Sequence, residues 1–221
     1  MSRSKDFQAV IFDLDGTLLD TLQDLADSMN VALSHFGFPV HELEKYRHFV
    51  GDGMENLVRR SVPDTAKNDP RLISRCLEMM RKTYELNWRV RTRPYPGVPE
   101  LLDALSGRGL KMAVLSNKPD DSTRKVVDGL LGAWRFEAVV GARPRVPLKP
   151  DPSSALEIAN RLKLGPARFV YLGDTATDMK TANAAGMFAV GALWGFRDAA
   201  ELIAGGAAKL IEKPAELLEL L

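Results

Sequence analysis

The most constraining feature of the sequence is a repeated alternation between short apolar runs and amphipathic helical patterns. The alternation begins at Gln8, stops near Thr21 and resumes from Arg93 to the end of the chain. Most of the runs are continuously apolar, as expected for strands covered on both faces, so a doubly wound parallel sheet of the α/β class is predicted. The predicted strands are Ala9–Phe12, Lys111–Leu115, Phe136–Val140, Phe169–Leu172, Phe188–Val190 and Lys209–Ile211. The predicted helices between them are Val98–Leu105, Asp120–Leu131, Pro152–Leu162, Thr175–Ala185 and Asp198–Ala204.

The pattern changes between Thr21 and about Arg91, where the β-rich runs stop. Two long amphipathic helices are predicted there, with one or two shorter helices between them, around Phe49 and Leu57. Their apolar faces are Leu22, Leu25, Met29, Leu33 and Phe36 in the first, and Leu72, Ile73, Cys76, Leu77, Met80 and Tyr84 in the second. We therefore predict a Rossmann-like core of residues 1–20 and 92–221, interrupted by an all-helical domain of residues 21–91.

Charge and cysteine content exclude several classes of partner and site. The 221 residues contain 30 basic and 29 acidic side chains, for a formal net charge of +1, so no broad basic surface for nucleic acid or an anionic membrane is expected. Cys76 is the only cysteine, which excludes an intramolecular disulfide and a cysteine zinc site. The first residues, MSRSKDFQ, lack the apolar segment of a secretory signal, and no apolar run approaches the ~20 residues of a membrane span. We expect a cytoplasmic protein, a monomer or a homodimer.

Other catalytic classes lack their motifs. The three histidines lie within one short window without a His-x-x-x-His pair, and the sequence has no Gly-x-Ser-x-Gly elbow, P-loop or dinucleotide fingerprint. If the chain is an enzyme, carboxylates must therefore carry its chemistry.

Polar residues follow four of the predicted strands, and the carboxyl ends of parallel strands meet at one edge of a sheet, where ligands bind. These residues are Asp13-Leu14-Asp15-Gly16-Thr17, Ser116-Asn117-Lys118, Lys149 and Gly173-Asp174-Thr175-Ala176-Thr177-Asp178. Three carboxylates meeting there would repel one another, and a hard divalent cation such as Mg²⁺ relieves that repulsion.

The same residue types suit phosphoryl transfer. Lys149, the hydroxyl of Ser116 and the backbone amides of Asp15, Gly16 and Asn117 are candidate partners for anionic oxygens, and Gly16 allows close approach of the backbone. One aspartate of the first group is able to attack phosphorus, and the other to protonate the leaving oxygen and later deprotonate water.

The four motifs, in this order, resemble those of the haloacid dehalogenase superfamily of phosphohydrolases, and the helical insertion resembles its cap. The resemblance implies that Asp13 is the nucleophile, Asp15 the general acid and base, and Lys149 the cation that steadies Asp13. It implies that Ser116 and Asn117 hold the phosphate, and that Asp13, the Asp15 carbonyl and Asp174 bind Mg²⁺. Asp178 supports the metal from outside its coordination shell or only stabilises the first turn of its helix. The second aspartate, Asp15, indicates a phosphatase or phosphomutase rather than a dehalogenase.

Several segments further resemble phosphoglycolate phosphatases: Val50-Gly51-Asp52-Gly53, Leu57-Val58-Arg59-Arg60, Pro94-Tyr95-Pro96-Gly97-Val98 and Lys149-Pro150-Asp151-Pro152. The resemblance implies that Gly51, Asp52, Gly53 and Arg60 select the substrate, a small phosphorylated metabolite, with 2-phosphoglycolate as the first choice. The alternatives are another small phosphate (pyrophosphate, a sugar phosphate or a nucleotide), a phosphomutase reaction, and a non-enzymatic signalling module that accepts phosphate on aspartate.

Overall fold

A computed structural model describes residues 6–221; the first five residues, part of the segment predicted to carry no secretory signal, lie outside the described residues. The strands are β1 Ala9–Phe12, β2 Leu19–Asp20, β3 Arg93–Pro94, β4 Lys111–Pro119, β5 Ala138–Ala142, β6 Phe169–Gly173, β7 Phe188–Ala192 and β8 Lys209–Ile211. The α-helices are α1 Leu22–His35, α2 Leu43–Phe49, α3 Met54–Ser61, α4 Pro70–Asn87, α5 Val98–Gly107, α6 Asp120–Leu131, α7 Ser153–Leu162, α8 Ala176–Ala184 and α9 Ala199–Ala204. Among the described helices, none combines the length and apolar character that a membrane span requires.

Six strands form one parallel sheet in the order β5-β4-β1-β6-β7-β8. Strand β1 lies in the middle, with Phe12 opposite Val114 of β4 and Leu172 of β6. The residues that follow β1, β4 and β6 therefore emerge side by side at one edge, as the predicted α/β fold requires.

Continuous apolar sequence places both faces of this sheet in the core. Ile11 and Tyr171 pack on one face with Ile158 of α7, Met179 of α8 and Leu202 of α9. The neighbouring residues that point to the other face are equally apolar and fully buried, as Val10 and Phe12 of β1 show. Burial on both faces explains why these strands lack polar alternation.

Several element boundaries differ by one or more residues from the sequence prediction, with the largest consequence at β4. Strand β4 continues to Pro119, with an irregular register between Leu115 and Pro119, so residues 116–118 lie inside the strand rather than in a loop after it. Strand β5 begins at Ala138, two residues later than predicted. The short pairing of β2 with β3 was not predicted, because two-residue strands carry no periodic signal.

The chain divides into two compact units: one comprises the chain up to Leu19 together with Pro94–Leu221, and the other is Asp20–Arg93. The second unit holds helices α1–α4, with Met29 of α1 and Met80 of α4 among its fully buried side chains. Within this unit the buried carboxylate of Asp24 accepts hydrogen bonds from the backbone amides of Arg91 and Thr92 and from the Thr92 hydroxyl, at 2.7 to 3.1 Å. These bonds join the first turn of α1 to the last residues of the unit.

Candidate active site

The buried ammonium group of Lys149 connects two aspartates at the carboxyl edge of the sheet. Its Nζ lies 2.9 Å from Asp13 Oδ1 and 2.7 Å from Asp178 Oδ1, and it donates to the carbonyl of Leu115 at 3.3 Å. Asp13 directly follows β1, and its Oδ1 also accepts a hydrogen bond from the Leu14 amide at 2.7 Å. The structure thus brings together Asp13, Lys149 and Asp178.

The Asn117 side chain holds the backbone of Lys149 from both sides. Asn117 Oδ1 accepts from the Lys149 amide at 2.9 Å, and Asn117 Nδ2 donates to the Lys149 carbonyl at 3.2 Å. Neighbouring Ser116 is buried, and its Oγ accepts from the Lys118 amide at 3.2 Å. The Asn117 amide group therefore fixes the segment that carries Lys149, a role that the sequence did not reveal.

Asp174 follows β6 and is bound on both oxygens. The Thr17 hydroxyl donates to Oδ1 at 2.7 Å, and the Phe196 backbone amide donates to Oδ2 at 2.9 Å. The indole Nε1 of Trp194 donates to the Thr17 carbonyl at 3.0 Å, so the segment after β7 supports both sides of this carboxylate. None of this segment belonged to the four sequence motifs.

Gly16 packs directly against Asp174. Its φ is +88°, and a Cβ there would collide with Asp174 Oδ2 and lie 2.7 Å from the Phe196 ring. Its amide, expected as a donor to an anion, instead donates to the Leu19 carbonyl at 2.9 Å. Gly16 therefore serves close packing, and the prediction that its amide faces phosphate does not agree with this hydrogen bond.

Asp178 stabilises the first turn of its helix, one of the two roles considered from sequence, and also binds Lys149. Its Oδ2 accepts from the Thr175 amide and hydroxyl at 3.1 and 2.7 Å, completing a capping box at the start of α8. Its Oδ1 accepts from Lys149 and, at 3.4 Å, from the Tyr171 hydroxyl. The helix cap holds Asp178 where it positions Lys149.

Asp15 points to a different cation. Its Oδ1 lies 2.6 Å from Nζ of Lys118, whose side chain is 2% exposed, while the Asp15 side chain is 16% exposed. The two aspartates of the first motif are therefore each paired with a separate lysine.

Burial and mutual repulsion perturb the carboxyl groups. Burial, followed by the charge of Asp178, raises the pKa of Asp13 well above its usual value, against the opposing effect of Lys149. Burial and Asp178 likewise raise the pKa of Asp174 to about 7. Burial works to lower the pKa of Lys149, but Asp13 and Asp178 outweigh it, so this pKa rises and the ammonium form is held.

The carboxylates fit a hard divalent cation. Asp13, Asp174 and Asp178 each offer one oxygen, and these oxygens lie within 4.8 Å of one another. Burial, and then the charge of Asp178, raises the pKa values of Asp13 and Asp174, and a cation bound to these carboxylates would offset both effects. Carboxylate oxygens of this kind suit a hard cation such as Mg²⁺.

The residues expected to select substrate lie within the helical unit, at the turn between α2 and α3. Arg60 forms an ion pair with Asp52 and donates to the Phe49 carbonyl at 3.2 Å. Gly51 and Gly53 both have positive φ values, of 112° and 89°, which shape this turn. The structure brings Asp52 and Arg60 together and leaves about a third of each side chain exposed.

Residues 10–192 match the family model of haloacid dehalogenase-like hydrolases. The chain belongs to this family. A phosphoglycolate phosphatase of Nitrosospira multiformis is 35% identical over 181 residues, covering 81% of this chain and 80% of that protein. A phosphoglycolate phosphatase of Chromobacterium violaceum is 32% identical over 219 residues, covering 98% and 97%. The crystal structure of a predicted phosphoglycolate phosphatase from Haemophilus somnus has a TM-score of 0.90 at 26% identity, covering 97% of this chain and 98% of that one.

These similarities confirm the resemblance carried by the four motifs and the α/β fold predicted from the alternating apolar and helical patterns. The chain is a phosphoric monoester hydrolase of the haloacid dehalogenase-like family, as expected. The reading of the chain as a non-enzymatic signalling module is therefore set aside.

Proposed function

We propose that this chain is a Mg²⁺-dependent phosphatase that hydrolyses a small phosphomonoester through an aspartyl-phosphate, with 2-phosphoglycolate as its substrate. The observation that carries the proposal is the buried group of Asp13, Asp174, Asp178 and Lys149 at the carboxyl edge of the sheet. The two relatives named as phosphoglycolate phosphatases support the choice of substrate.

In the first step, a carboxylate oxygen of Asp13 attacks phosphorus and the bond between phosphorus and the ester oxygen breaks. The leaving oxygen takes a proton from the carboxyl group of Asp15. Lys149 holds Asp13 and neutralises charge on the transferred group, while Ser116 and the backbone of Asn117 contact its oxygens. Asp13, Asp174 and the Asp15 carbonyl would hold Mg²⁺, which would supply charge neutralisation for the phosphoryl oxygens.

In the second step, the Asp15 carboxylate takes a proton from water, whose oxygen attacks phosphorus. The bond between phosphorus and Asp13 breaks, inorganic phosphate leaves, and Asp15 is again protonated for the next substrate. The transfer to water distinguishes this proposal from a phosphomutase reaction.

The first test measures phosphate release from 2-phosphoglycolate, pyrophosphate, sugar phosphates and nucleotides, with Mg²⁺ and with a chelator. We expect the highest kcat/KM for 2-phosphoglycolate, loss of turnover in chelator, and at least a ~10³-fold loss in Asp13→Asn. Asp64→Asn is the matched control, because this carboxylate is exposed and pairs with Lys67. Faster turnover of another ester would refute the substrate, and turnover by Asp13→Asn near wild type would refute the nucleophile.

We also propose that Gly51, Asp52, Gly53 and Arg60 influence substrate choice, with Arg60 binding a substrate carboxylate. Replacement of Arg60 by Gln is expected to raise KM for 2-phosphoglycolate about tenfold, equivalent to about 1.4 kcal/mol, because a charge-assisted hydrogen bond is lost. Arg59→Gln is the control on the same helix: Arg59 is similarly exposed and pairs with Glu55. Equal KM values in the two variants would contradict a role for Arg60.

A further inference from the structure

The pairing of Lys118 with Asp15 is a strong interaction at this edge of the sheet to which the four-motif assignment gives no role. The two residues are 103 positions apart, and their side chains meet at 2.6 Å. Lys118 lies in the irregular end of β4, and its amide donates to Ser116 Oγ. The register of β4 beside β1 thus fixes where this ammonium group lies.

Burial of the Lys118 side chain makes the contact unlike a surface ion pair. At 2% exposure the ammonium group is desolvated, a state that is costly unless a charged partner is held close. The Lys118 ammonium group donates to Oδ1 of the Asp15 carboxylate. Such a contact restricts the rotation of the Asp15 side chain and leaves Oδ2 as the oxygen able to exchange a proton with substrate or water.

We propose that Lys118 is a positioning residue for Asp15, holding Oδ1 so that Oδ2 meets the leaving oxygen and then the attacking water. The inference rests on the proposed function, in which Asp15 transfers the proton. Lys118 therefore acts on the proton-transfer part of the reaction, whereas Lys149 acts on the nucleophile Asp13.

Leaving-group dependence separates this role from a general structural one. An alkyl phosphate such as 2-phosphoglycolate needs a proton on its leaving oxygen, whereas para-nitrophenyl phosphate releases a stable anion that needs none. Because kcat/KM reports the steps up to departure of the leaving group, we expect Lys118→Met to lower kcat/KM at least ~10-fold for the alkyl ester and less than ~3-fold for the aryl ester. Lys118→Arg restores most of the loss, because its guanidinium reaches the same carboxylate.

A double-mutant cycle completes the experiment. In the Asp15→Asn background, Lys118→Met is expected to cause no further loss on either ester, because the group it positions is already removed. Circular dichroism and thermal unfolding verify folding, with Lys180→Met as the matched exposed control. The inference would be overturned if Lys118→Met lowered kcat/KM equally for the two esters. It would also be overturned if the losses in kcat/KM from the two substitutions multiplied in the double variant. If Asp15→Asn lowers kcat/KM equally for the alkyl and the aryl ester, Asp15 does not transfer the proton, and the proposed mechanism fails with it.

Discussion

At the scale of single residues, the site is organised by buried charges that must satisfy one another. Lys149 binds Asp13 and Asp178, Lys118 binds Asp15, and Asp174 relies on the neutral donors Thr17 and Phe196. Asp174 therefore lacks a direct cationic partner among the described side chains, which agrees with the rise in its pKa.

The raised pKa of Asp174 predicts how stability depends on pH when Mg²⁺ is removed. Because this pKa is about 7 in the folded protein and near the usual 3.8 when unfolded, the folded state binds the extra proton between these values. Its contribution to the free energy of unfolding therefore falls as pH rises from about 4 to about 7, by at most about 1.4 kcal/mol per pH unit. Chemical denaturation in chelator, comparing wild type with Asp174→Asn, measures this slope as the difference between the two proteins.

Added Mg²⁺ is expected to oppose this fall in the free energy of unfolding at higher pH, since it competes with protons for the same carboxylates. The increase in melting temperature on adding Mg²⁺ is expected to be larger at pH 8 than at pH 5 in wild type and small in Asp174→Asn. A Mg²⁺ effect independent of pH, or equal in both proteins, would contradict the placement of Asp174 as a ligand.

At the scale of elements, the segment that follows β7 supports the end of β6. Trp194 and Phe196 hold Thr17 and Asp174 by hydrogen bonds, and Gly195 between them lies against the Asp174 side chain. This arrangement makes the segment a support for a proposed metal ligand, although it contributes no carboxylate.

Gly195→Ala tests that support. The added Cβ would collide with Asp174 Cβ and lie 2.5 Å from the Gly16 carbonyl oxygen, so the segment and Asp174 must separate. We expect Mg²⁺ affinity to fall at least ~10-fold, measured by calorimetric titration, and stability to fall by ~1–3 kcal/mol. Gly165→Ala is the control, because a Cβ there meets no atom within 4 Å. Unchanged Mg²⁺ affinity in Gly195→Ala would show that the segment does not position Asp174.

At the scale of the whole molecule, the sequence predicts the strands and helices well, but it predicts poorly which side chains and backbone groups contact one another between them. All six strands of the sheet were predicted because apolar runs mark buried strands, and the motif residues were grouped because parallel strands share one carboxyl edge. The Lys118–Asp15 pair and the Phe196–Asp174 bond were missed, because they depend on strand register and on the path of the backbone after β7. The Leu19 carbonyl that takes the Gly16 amide was missed for the same reason.

In the helical unit too, the sequence predicts the helices but not the contacts between residues far apart in sequence. Its long helices follow from apolar spacing, and α1 and α4 lie over the predicted segments. The bonds from Asp24 to Arg91 and Thr92 join residues far apart in sequence and have no periodic signal. An Asp24→Asn variant alters these bonds and leaves Asp13 in place, so it separates the stability of the helical unit from the chemistry of Asp13.

The central claim is that phosphate passes through Asp13. The most direct measurement incubates the Asp15→Asn variant with para-nitrophenyl phosphate, whose leaving group needs no proton from residue 15, and quenches the reaction with borohydride. Borohydride reduces an acyl phosphate to an alcohol, and peptide mass spectrometry locates the product. The account predicts homoserine at position 13, dependent on substrate and absent from Asp13→Asn. Turnover by the wild type without modification of residue 13, or modification of a different residue, would contradict it.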